Sequence, residues 1–208
     1  MAVAKKDKIK RLLQEAEKCL ILGENLGAER ISKQIIELDP RNPEAYYFIG
    51  EALCKQGKFQ ESVDSLKQAD KLLPGHPRII HLLGWAIFMG GDVELGRNLV
   101  KQALKKIPDD VQILCDLAVL ETRQGNGEVA KEYALKAFEI DAVHPLVQEV
   151  FKTVVHFDKE RTRLTRKINK AESVKISCVC CRVSSGYSII SSQLADRKLS
   201  QLARQGKL

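Results

Sequence analysis

Residues 43–74, PEAYYFIGEALCKQGKFQESVDSLKQADKLLP, form two amphipathic halves divided by Gly57. Tyr46, Ile49, Gly50 and Leu53 fall at helical spacing in the first half, and Phe59, Ser62, Leu66 and Ala69 do so in the second. The stretch therefore predicts two helices, each with one apolar stripe. Neither helix buries its stripe alone, so the unit needs a copy of itself alongside. The chain supplies copies. A shift of 34 residues carries Pro40 onto Pro74 and Pro108, Gly23 onto Gly57, Gly91 and Gly125, and Pro43 onto Pro77.

The copies repeat the side-chain pattern as well as the period. Residues 43–76 carry Tyr46, Ile49–Gly50, Leu53, Ser62, Leu66, Ala69 and Pro74. Residues 77–110 answer with Ile80, Leu83–Gly84, Ile87, Gly96, Val100, Ala103 and Pro108. Residues 111–144 give Leu114, Leu117–Ala118, Ala130, Ala134 and Ala137, with Glu121 in an apolar place and Ala142 replacing the proline. Residues 9–42 are more degenerate: Leu12, Ala16, Cys19, Ala28 and Pro40 fit, while Glu15 stands where a Leu belongs. Small residues Ala16, Gly50, Gly84 and Ala118 face Ala28, Ser62, Gly96 and Ala130, which allows close approach of the two helices in each unit. The four turn glycines suit the left-handed conformation that ends a first helix.

A 34-residue helix–turn–helix period with this pattern resembles the tetratricopeptide repeat. The resemblance implies an all-α fold, a right-handed α-solenoid of tandem repeats, here four over residues 9–142. Residues 1–8 read as a basic lead-in. His144–Pro145 is in phase with Asn42–Pro43 and His76–Pro77, so a fifth first-helix is expected there. Its face of Leu146, Val147, Val150, Phe151, Val154 and Val155 predicts a capping helix over residues 145–172, with a basic later part. Residues 173–208 lack the period and a helical stripe. Their composition fits a disordered tail, a partner-binding arm or an ending unrelated to the family, and does not choose among them.

The net charge of +7 is unevenly placed. From Asp158 onward there are 12 Lys and Arg against 4 acidic residues, leaving the repeats near neutrality. The start MAVAKKDKIKRLL has no apolar core of a signal peptide, and no run reaches the ~18 apolar residues of a membrane span. Cys19, Cys54 and Cys115 sit inside repeats as small apolar residues, which suggests reduced thiols and a cytoplasmic location.

In this family the first helices line a concave groove, and that implication selects the candidate site. Its positions are Leu13, Glu17, Tyr47, Glu51, Arg78, His81, Trp85, Phe88, Cys115 and Val119. The expected function is a non-enzymatic adaptor that takes a peptide or helix of a protein partner, with Trp85 and Phe88 as central anchors. A subset of the family clamps a peptide's terminal carboxylate; its positions correspond here to Leu13, Glu17, Phe48, Arg78 and Leu82, and only Arg78 matches. Groove character alone also resembles secretion chaperones that hold apolar cargo peptides. The alternative of another class is an electrostatic tether, in which Lys159, Arg161, Arg163, Arg166, Lys167 and Lys170 meet nucleic acid or an anionic membrane. Cys178, Cys180 and Cys181 lack the paired spacing of a zinc site, and the four histidines lack a nucleophile at a useful distance. No metal, cofactor or catalytic residue is expected.

Overall fold

The computed structural model describes residues 2–155, and these are all-α. Helix α1 spans Ala2–Ile21, α2 Asn25–Leu38, α3 Pro43–Lys55, α4 Phe59–Leu72, α5 Pro77–Met89, α6 Val93–Lys106, α7 Val111–Arg123 and α8 Gly127–Ile140. Residues 145–155 are helical as well and are labelled α9. The chain divides into two compact units, Met1–Pro108 and Asp109–Leu208. The basic segment from Lys159 to Lys170 and the tail 173–208 lie outside the described residues, as does the later part of the expected capping helix.

In the first unit α1–α2, α3–α4 and α5–α6 are hairpins, and each hairpin also packs on the next through α2–α3 and α4–α5. First helices touch in succession, α1 with α3 and α3 with α5. Stacked hairpins of this kind form an α-solenoid, whose stability is roughly a sum of repeats and neighbour interfaces. Cross-hairpin polar ties accompany the packing. Lys55 Nζ donates to the Leu20 carbonyl at 3.2 Å, and Gln56 Nε2 to Glu29 Oε2 at 3.2 Å.

The helix ends follow local chemistry. Pro43 and Pro77 occupy first turns, where no N–H is missed. Asn42 Oδ1 accepts from the Ala45 N–H at 3.0 Å, Asp92 Oδ1 from Leu95 at 3.1 Å and Asp110 Oδ1 from Ile113 at 3.0 Å. His76 holds the same position before α5 and makes no such cap. Gly57 and Gly125 have φ of 77° and 80°, the left-handed geometry expected of the repeat turns. Open space surrounds Gly57. Gly57→Ala is therefore expected to lose only the backbone preference, about 1–2 kcal/mol in a urea melt; no loss would mean that the turn relaxes.

Small residues bring the hairpin partners together. A Cβ on Gly50 would lie 2.5 Å from Leu66 Cγ, and one on Gly84 would lie 2.8 Å from the Gly96 carbonyl. Ser62 uses its position differently: its buried hydroxyl donates to the Gly50 carbonyl at 2.7 Å. One core cluster joins Ala16, Ala28, Ile35, Phe48 and Ala52, and another joins Val63, Leu66, Leu83 and Ala86.

In the second unit α7 packs on α8. Val147, Val150 and Val154 of α9 are buried, and Phe151 meets Phe138 of α8 with ring centroids 5.1 Å apart. Glu121, the charged residue at an apolar position, is 1 % exposed. Its Oε2 accepts from Asn126 Nδ2 at 2.6 Å, so the carboxylate is held within its own hairpin.

Two readings of the sequence need adjustment. Helix α1 begins at Ala2, before the repeat boundary at Ile9, with exposed residues 4–8 continuing it. Of the α5 stripe, Ile80 and Leu83 are buried and Ile87 packs against the core partly buried, while Ile79, Ala86 and Phe88 are buried in addition. Because α5 has neighbours on several sides, its buried surface is wider than one stripe.

Candidate functional site

The first helices of the first three repeats surround a cavity of about 390 Å³. Its apolar surface comes from Leu13 of α1, Pro43, Tyr47 and Phe48 of α3, Leu73 after α4, and Ile79 of α5. Polar groups enter from Lys10, Gln14, Glu17, Glu44, His76 and Arg78. The volume lies in the range of sites that hold a peptide side chain or small ligand.

Tyr47 is the centre of this wall. The Arg78 guanidinium carbon lies 5.3 Å from its ring centroid, a cation–π arrangement that orients Arg78 from the neighbouring helix. Burial pushes the Tyr47 phenol up to about 12, with Glu51 adding to the shift and Arg78 opposing it. The phenol therefore stays protonated and able to donate throughout the neutral range. Glu51 is itself engaged by Lys55 at 2.9 Å.

His76 is the polar group without a counterpart. Its Nδ1 is buried and has no hydrogen-bond partner. The equivalent His144 instead accepts from the Leu146 N–H through Nδ1 at 3.2 Å. Leu73 is 41 % exposed, although it is a large apolar residue at a helix end. Both line the cavity. A ligand there would cover Leu73.

Of the groove positions chosen from the sequence, Leu13, Glu17, Tyr47 and Arg78 line this cavity. Glu51, His81 and Trp85 are partly buried and lie outside its lining. Phe88 is 6 % exposed and Cys115 is 0 %, so the fold uses both for packing and displays neither to a ligand. Burial also pushes the Cys115 thiol up to about 11, helped by Asp116. Val119, in the second unit, is partly buried. The sequence-based selection missed Lys10, Glu44, Leu73 and His76. The 34-residue shift does align Lys10, Glu44 and Arg78, and it places His76 where Asn42 and Asp110 act as caps.

Among the described residues no group of three or more His, Cys, Asp or Glu is arranged to hold a metal ion. No described helix is long and apolar enough to cross a membrane.

Residues 20–86 match the sequence profile of the family described as Tetratricopeptide repeat. No curated protein matches the chain. Among solved structures, a mutant O-GlcNAc transferase of Thermobaculum terrenum is similar at 25% identity and a TM-score of 0.61, over 65% of this chain. This chain spans only 26% of that protein's length. A thermophilic TPR protein of Thermus thermophilus is similar at 20% identity and a TM-score of 0.65, covering 71% of this chain and 81% of that one. MamA of Desulfovibrio magneticus is similar at 21% identity and a TM-score of 0.56, covering 77% and 97%. At these identities the second and third likenesses speak for the fold. Taken with the 34-residue period, the left-handed turn glycines and the stacked hairpins, they identify an all-α helical solenoid of the tetratricopeptide-repeat type, and residues 20–86 carry the family's profile.

Proposed function

We propose that this protein is a non-enzymatic interaction scaffold whose cavity across α1, α3 and α5 takes an extended peptide segment of a protein partner. The repeat fold supports the coarser part of this reading, a protein-interaction scaffold. The observation that carries the finer part is the cavity itself, where exposed Leu73 joins the apolar wall of Leu13, Tyr47 and Phe48. Trp85 lies two helical turns beyond Arg78 on the same face of α5, and it extends the proposed groove. As the chain's single tryptophan it also reports on occupancy. A cytoplasmic location belongs to the same proposal and rests on Cys19, Cys54 and Cys115 standing outside disulfides within the helical repeats.

The test is selection of nine-residue peptides from a displayed random library on the intact protein, followed by affinity measurement on variants. Leu73→Asp puts a charge into the apolar wall at a position that is already exposed, so the fold should persist. Selected peptides are expected to bind it at least about tenfold more weakly. Lys67→Asp, on the exposed side of α4, should leave their affinity unchanged. Trp85 emission should shift on binding. Selected peptides that ignore Leu73→Asp, or a library that yields none, would remove the cavity from the function.

A further inference from the structure

Lys10, Glu44 and Arg78 occupy one repeat position, separated by 34 residues, on three first helices that touch in sequence. All three are exposed and line the same cavity. Among the described residues none has an ion-pair partner, and Arg78 is engaged only with Tyr47. The cavity rim therefore carries charges in the order plus, minus, plus. Packed helices stand about 8–10 Å apart axis to axis, so equivalent backbone positions on α1, α3 and α5 step along the cavity at about that interval. The remaining acidic group of the lining, Glu17, lies two turns along α1 from Lys10 and off this line.

A polyproline-II segment has three residues per turn and rises about 3.1 Å per residue. Residues one, four and seven of such a segment share one side and stand about 9 Å apart. That repeat matches the helix spacing. On this basis we infer that the cavity selects a polyproline-II peptide of pattern acid–x–x–base–x–x–acid, with apolar residues between the charges. This inference rests on the peptide-groove reading above. The acids meet Lys10 and Arg78, and the base meets Glu44. An intervening apolar side chain covers Leu13, Tyr47 and Leu73. The pattern is the same read in either direction, so the rim does not dictate chain polarity.

Three fluorescein-labelled heptapeptides test the inference on the full chain. The first is Glu-Pro-Leu-Lys-Pro-Leu-Glu, the second exchanges Glu and Lys, and the third replaces every charged residue with Gln. Exposed ion pairs are individually weak, and three together are expected to favour the first peptide over the second by about tenfold at low salt. The triple variant Lys10→Glu, Glu44→Lys, Arg78→Glu alters exposed residues and should keep its helical content and melting temperature. It is expected to reverse the preference. Equal binding of all three peptides would overturn the charge pattern and leave the groove reading to stand on Leu73→Asp. A variant that keeps the original preference would overturn it too. Failure of every peptide to bind would also overturn it, with the library selection then deciding the groove reading separately.

Discussion

Gly96→Val is expected to disrupt the third hairpin, at a cost of at least about 3 kcal/mol in urea unfolding. The reason is the identity of the neighbouring atoms. A Cβ at this position would lie 2.5 Å from the Phe88 nitrogen, 2.6 Å from the Gly84 carbonyl oxygen and 2.7 Å from the Phe88 Cα. All three belong to the backbone of α5, so rotamer changes bring no relief. The helices must separate, and separation unpacks Val100 and Ala103 of α6, both fully buried. Leu95→Ala is the matched control on the same helix. Leu95 is 48 % exposed, and its replacement should alter stability little. If Gly96→Val melts like the parent protein, α5 and α6 do not need their close approach.

Val147→Asp should have an effect of similar size in the second unit. Val147 is 1 % exposed on α9, alongside buried Val150 and Val154. An ionised carboxylate placed there is taken out of water among apolar side chains, and an uncompensated buried charge typically costs about 3–5 kcal/mol. Amide exchange should then accelerate through α7 and α8, whose buried surface includes Leu117, Leu120 and Ala134. Gln148→Asp moves the same charge to an exposed position on the same helix and should leave exchange almost unchanged. Protection of α7 and α8 that survives Val147→Asp would show that α9 does not cover this unit.

The helices and their turns were legible in the sequence because each depends on local chemistry repeated at a fixed interval. Gly23, Gly57, Gly91 and Gly125 announce left-handed turns, and all have positive φ. Gly50, Gly84 and Gly96 announce close helix contacts, and there a Cβ would collide with the opposing helix. These statements need no knowledge of a helix's exact rotation. The choice between core and groove does need it. Trp85 and Phe88 are one turn apart on α5, yet only Phe88 is buried below a tenth exposure. Periodicity marks a broad apolar face and says little about residues at its edge.

The sequence by itself determined the repeat, its period, the positions of the helices and the small residues that let them approach. Each of these is encoded within a single 34-residue unit. Only the tertiary structure decided which groove residues share a volume. Lys10, the pair Tyr47 and His76, and Arg78 come from three successive repeats and line one cavity because first helices stack side by side. The loss of a cap at His76 and the exposure of Leu73 are unremarkable within one repeat. They acquire meaning when stacking turns both toward one cavity, since shape and unpaired groups arise between units and not within them.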